Sequence, residues 1–113
     1  MGEISNNMSV PFIKTLPQES IDYFEILGKS ESLVIRSGMV TLTPGKDVGW
    51  HSTKQYEELL IVLEGAGKLL AKGHPDLEIA RGQIAYNPPQ TEHNVVNTGT
   101  KPLRYIYVVA CTQ

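Results

Sequence analysis

Clusters of glycine, proline and asparagine break this chain at short, regular intervals. They are Pro44-Gly45, Glu64-Gly65-Ala66-Gly67, Gly73-His74-Pro75-Asp76, Arg81-Gly82, Asn87-Pro88-Pro89 and Asn97-Thr98-Gly99-Thr100. Glycine reaches positive φ at little steric cost, and proline fixes φ and removes a donor, so each cluster ends an extended segment. Turns every ~8–12 residues are the spacing of a β-sandwich or barrel. The segments between them are rich in β-branched and aromatic residues. Leu33–Thr43, Glu58–Leu63 and Leu103–Ala110 are the clearest strands. The last two are nearly continuous apolar runs, the pattern of strands covered on both faces. In a chain of 113 residues a second subunit is the natural cover, so a homodimer is expected.

No helix is evident after residue 30. Pro17–Leu27 is ambiguous: Ile21, Phe24 and Leu27 share a helical face, yet Ile21-Asp22-Tyr23 alternates like a strand. Either a short helical turn or an edge strand fits. Residues 1–9 are polar and read as frayed and partly disordered. The expectation is one all-β, antiparallel domain.

Composition narrows the partners. Hydrophobic residues make up 41% and charged residues 19%, too apolar for a disordered chain. Ten Lys+Arg against twelve Asp+Glu give a net charge of −2. Neither nucleic acid nor an anionic membrane is an expected partner, because both select a basic field. No apolar run approaches the ~20 residues of a membrane span. Cys111 is the only cysteine, so no intrachain disulfide forms, and the first residues have neither a basic flank nor an apolar stretch. A cytoplasmic protein is expected. No glycine-rich phosphate loop opens a helix, and no serine sits in a nucleophile elbow.

The chemistry therefore rests on histidines. His74 lies in the turn Lys72-Gly73-His74-Pro75-Asp76 and reads as a solvated loop residue. His51 and His93 stand in longer patterns. Gly45-x5-His51-x-Thr53-x4-Glu58-x6-Gly65 closely resembles the first cupin motif, G-x5-H-x-H-x3,4-E-x6-G. Gly82-x5-Pro88-x-Gln90-x2-His93-x3-Asn97 resembles the second, G-x5-P-x-G-x2-H-x3-N. The two motifs occur in order and at the family's separation, and the resemblance covers residues 33–110.

The resemblance implies a double-stranded β-helix, or jelly-roll barrel, over residues 31–113, preceded by an N-terminal segment of residues 1–30. It implies a metal site in the barrel mouth, with His51, Glu58 and His93 at ligand positions. Neutral imidazoles and a carboxylate suit a divalent transition ion: Fe, Mn, Ni, Cu or Zn.

Two positions depart from the family pattern. Thr53 stands where the motif has its second histidine, and a neutral hydroxyl is a poor ligand beside imidazole. Gln90 replaces the motif's glycine and predicts a slightly altered loop. Two histidines and one carboxylate remain, which matches the facial triad in number, although the His-x-Asp/Glu spacing of those sites is absent. Gln55, four residues after His51, faces the same way on a regular strand and offers an amide oxygen for the vacated position.

The alternative is a barrel with no metal at all, in which His51 and His93 hydrogen-bond to Glu58, Thr53 or water. Glu57 and Glu92 read as outward-facing, and Cys111 as a packed small residue. Trp50, Tyr86, Tyr105 and Tyr107 read as core or barrel-wall residues, some of them lining a pocket for a planar ligand. Two functions stay open. One is a metal-dependent enzyme acting on a small polar molecule, with dioxygenase, isomerase, decarboxylase and lyase chemistries all known in this superfamily. The other is a non-catalytic module that binds or senses a small-molecule ligand in a degenerate pocket. A structural protein with a vestigial pocket is a third possibility.

Overall fold

Along Tyr56–Glu64 the side chains alternate between two environments: Glu58, Leu60 and Val62 are buried, while Leu59, Ile61 and Leu63 are half-buried. This period of two defines an inner and an outer sheet face. The computed structural model, which describes residues 10–19 and 21–113, extends the pattern across nine strands. They are β1 (Tyr23–Leu27), β2 (Ile35–Leu42), β3 (His51–Ser52), β4 (Tyr56–Glu64), β5 (Ala66–Ala71), β6 (Leu77–Ala80), β7 (Ile84–Asn87), β8 (Glu92–Val96) and β9 (Leu103–Cys111). Among the described residues there is no helix. The all-β expectation holds. The expected fraying of residues 1–9 falls outside the described residues.

The strands form two antiparallel sheets, ordered β1-β2-β9-β4-β7 and β3-β8-β5-β6. Inner faces meet in a core of Val40, Leu42, Leu60, Leu69, Val95 and Leu103, each at most 8% exposed. Each such side chain stabilises the fold by about 1.5–3 kcal/mol relative to exposure. Of the two readings of Pro17–Leu27, the strand forms: Tyr23–Leu27 is the edge strand beside β2.

Turn glycines act as expected. Gly45, Gly65 and Gly82 all have positive φ, and at Gly65 an added Cβ would stand 2.9 Å from Leu103 Cα. Asn97, 1% exposed, clamps the end of the barrel by donating 2.8 Å hydrogen bonds to the carbonyls of Leu42 and Lys101. Trp50 departs from its core assignment and is 53% exposed, because it precedes β3 in an irregular stretch rather than occupying an inward strand position. Cys111 is free. Among the described residues, no helix is long and apolar enough to cross a membrane.

Candidate functional site

The two motifs meet because β3 and β8 pair with His51 opposite His93. Glu58 comes from β4, in the other sheet, on the inner face. All three side chains line one cavity of about 390 Å3, together with Tyr23, Tyr105 and Tyr107. The His51 and His93 ring centroids are 4.3 Å apart. His93 Nε2 lies 3.0 Å from Glu58 Oε1, which bridges the two sheets. Among the described residues, no three or more His, Cys, Asp or Glu side chains already stand grouped to hold a metal ion. The convergence is pairwise.

The backbone orients both rings. His51 Nδ1 is 2.8 Å from the Gly49 carbonyl, and His93 Nδ1 is 3.0 Å from the Thr91 carbonyl. A carbonyl only accepts, so each neutral ring carries its proton on Nδ1 and leaves the lone pair on Nε2. Metal-ligating imidazoles are commonly fixed in this way. Gly49 N donates to Asn94 Oδ1 at 2.9 Å, which anchors the chain leading to His51. Asn87 Nδ2 donates to Glu58 Oε1 at 3.0 Å and fixes the carboxylate.

His93 then poses an electrostatic question. A neutral His93 would turn its Nε2 lone pair toward a carboxylate oxygen. That contact is favourable only when a proton or another cation stands between the two atoms. Burial pulls the His93 pKa down, but the hydrogen bond to Glu58, the Thr91 carbonyl and the charges of Glu58 and Glu92 outweigh it, and the net shift is upward. The donor set of two imidazoles and one carboxylate fits a divalent transition ion equally well.

The remaining predicted residues divide. Thr53 lines the cavity and is 7% exposed, but its hydroxyl is committed elsewhere. It donates to the Pro88 carbonyl at 2.7 Å and accepts from Thr91 N at 3.0 Å. Thr53 therefore ties the β3–β4 turn to the loop that carries the second motif. Gln55 does not line the cavity. β3 is only two residues long and Lys54 turns the chain at φ +53°, so strand alternation does not reach position 55. The Gln55 carbonyl instead accepts two hydrogen bonds from Thr112. Tyr86 pairs with Leu59 on the outer face and donates to Glu57 at 2.9 Å, away from the cavity. That hydrogen bond and the Glu57 charge hold its phenol above the ordinary range. Tyr105 and Tyr107 do line the cavity. Gln90 adopts φ +58°, so the loop keeps a glycine-like backbone despite the substitution.

Sequence reading missed Tyr23 and two orienting residues, Asn87 and Asn94. Asn87 reads as a turn residue because Pro88-Pro89 follows it. Its inward face becomes visible only once β7 is paired with β4.

A sequence model of the cupin domain matches residues 38–109. The chain belongs to the cupin family. It is 34% identical over 56 residues to the uncharacterized protein MJ1618 of Methanocaldococcus jannaschii, covering 50% of this chain and 44% of that one. It thus spans less than half the length of that relative. Among solved structures it resembles BH2720 from Bacillus halodurans, with 25% identity and a TM-score of 0.68, over 73% of this chain and 66% of that one. It also resembles a cupin 2 conserved barrel domain protein from Salinispora arenicola, with 19% identity and a TM-score of 0.73, over 89% of each chain. The latter likeness establishes the jelly-roll fold alone.

Proposed function

We propose that this cupin holds a divalent transition ion through His51, Glu58 and His93 and binds a small polar molecule beside it. The orientation of the two imidazoles carries this reading. Each directs its Nδ1 proton to a backbone carbonyl, and His93 Nε2 faces a carboxylate with which only a cation reconciles it. Two imidazoles and a carboxylate leave coordination positions for water or substrate, and Thr53, already bonded twice, leaves the motif's fourth position open. When bound, such an ion supplies Lewis acidity or lowers the pKa of a bound water. The protein's own part is to hold Glu58 through Asn87 and to wall the cavity with apolar side chains and tyrosines. Elemental analysis of protein purified without added metal tests this. Near-stoichiometric metal that is lost in both His93→Ala and Glu58→Ala supports it; a parent that stays empty after incubation with Fe, Mn, Ni, Cu and Zn defeats it.

A second reading is a metal-free binding or sensing module in which a proton, shared by His93 and Glu58, replaces the ion. It is favoured by the direct 3.0 Å contact and by the absence of a preformed three-ligand group among the described residues.

A second copy of this chain and a cytoplasmic setting belong to the same proposal. The outer face of the five-stranded sheet supports the dimer. Ile61 pairs with both Ile84 and Ile106, and Leu59 with Tyr86 and Val108, which gives two adjoining cross-strand rows of large side chains. Ile84 is 65% exposed. Apolar rows of this kind mark interaction surfaces.

A further inference from the structure

Three tyrosines of the five-stranded sheet face the same cavity as the imidazoles. Tyr105 and Tyr107, two apart on β9, share its inner face. Val40 of β2 pairs with both Tyr23 and Tyr105, which places all three in one cross-strand row. Tyr105 is 3% exposed and lines the cavity. Tyr23 and Tyr107 hydroxyls are 2.6 Å apart, with their rings stacked at 6.4 Å. One hydrogen lies between these two oxygens, so the pair retains a second O–H to donate.

Burial raises the Tyr105 phenol far above the ordinary range, and the nearby Glu58 charge adds to this. Burial, the Tyr23 hydroxyl and the charges of Glu25 and Glu58 do the same at Tyr107. Both remain protonated, and therefore donors, throughout the neutral range. Beside the tyrosines, the same sheet lines the cavity with the aliphatic Val40, Leu60 and Val109 and with Tyr56 and Glu58. Against the aliphatic positions the many hydroxyls of a sugar would find no partner, and burying unpaired hydroxyls is costly. The lining suits a short apolar body that ends in acceptor oxygens. A volume of about 390 Å3 suits a small molecule.

We propose that Tyr105 and the Tyr23–Tyr107 pair form an acceptor-binding wall that takes the carboxylate or carbonyl oxygen of a small, short-chain organic acid. This deepens the reading of the cavity as a small-molecule site, and it places recognition on the sheet opposite the imidazoles. The test uses butyrate, butyramide, butanol and butylamine as probes, titrated calorimetrically into the parent, Tyr105→Phe, Tyr107→Phe and His93→Ala proteins, with metal content measured on each. Phenylalanine keeps the ring volume, so the fold is retained. Butyrate should bind best, butyramide next, and butanol and butylamine at least about tenfold more weakly. Each Tyr→Phe change should weaken butyrate by about tenfold, the loss of one hydrogen bond to a charged acceptor, without altering metal content. Butyrate binding unchanged in both Phe variants, equal binding of butylamine, or no binding by any probe overturns the wall. A parent without metal whose butyrate binding still depends on the phenols defeats the metal reading and leaves the wall standing. Bound metal with phenol-independent butyrate binding does the reverse.

Discussion

His93 Nε2 and Glu58 Oε1 meet at 3.0 Å across the gap between the two sheets, and Asn87 holds the same carboxylate oxygen. In metal-free protein this contact makes His93 a stronger base than a free imidazole. The folded-state pKa lies above the unfolded value of about 6.5. The resulting stabilisation is therefore fully present below pH ~6.5 and is lost as pH rises through the folded value. An NMR titration of the imidazole protons should place the His93 midpoint above that of an unstructured histidine. Glu58→Gln should bring it down, because the raising charge is gone while burial remains. A midpoint indifferent to Glu58→Gln refutes the coupling.

Thr53 gives a second, independent check. Its hydroxyl satisfies both the Pro88 carbonyl and the Thr91 N–H. Thr53→Val keeps the shape and strands both partners in a poorly hydrated place, so the variant should lose about 1–3 kcal/mol in denaturant unfolding. A loss confined to a few tenths of a kcal/mol would mean that water replaces the hydroxyl and that the latch is not structural.

How much of this site was readable beforehand depended on how local each signal is. Turn glycines act through their own backbone, so Gly45, Gly65 and Gly82 were read correctly from sequence. Strand alternation acts over two residues, so the inward Glu58 and the outward Glu57 were also legible. Gln55 was not, because Lys54 turns the chain and ends the alternation. Tyr23 and Asn87 acquire their roles only from strands distant in sequence: β2 and β9 for Tyr23, β4 for Asn87. Trp50 failed for the opposite reason, since an aromatic residue suggests burial but nothing at position 50 supplies a neighbour to bury it.

Gly38 should prove sensitive for a reason visible only in three dimensions. An added Cβ would stand 2.5 Å from the Tyr23 hydroxyl and 2.7 Å from its Cε1. The Tyr23 ring thus lies over Gly38 to reach Tyr107. Gly38→Ala should cost about 1–3 kcal/mol, as overpacking does. Combined with Tyr23→Ala, most of that penalty should vanish, a non-additive pair in a double-mutant cycle. Additive losses would place the strain somewhere other than Tyr23.

Gln90 sits at φ +58° in the loop that delivers His93, and its N–H donates to the Lys54 carbonyl at 2.9 Å. Left-handed backbone at a residue with a Cβ costs about 1–2 kcal/mol. Glycine at position 90 removes that strain but frees more conformations in the unfolded chain. Gln90→Gly should therefore be neutral to modestly stabilising, by up to about 1 kcal/mol. Gly65→Ala should go the other way, since φ there is +82° and the new methyl would press on Leu103 Cα. Destabilisation by Gln90→Gly would show that the glutamine side chain supports the loop.

The outer sheet face predicts a mass in solution. Ile84 projects from the edge strand β7, 65% exposed, and pairs with Ile61 in the apolar row. If a second copy covers this row, the parent should sediment as a dimer, and Ile84→Glu should shift it toward the monomer by burying a charge in the interface. The residue is already solvated in the isolated chain, so the substitution should leave the monomer's fold and its circular dichroism unchanged. A parent that sediments as a monomer at high micromolar concentration removes the dimer, and the row would then be a surface left uncovered.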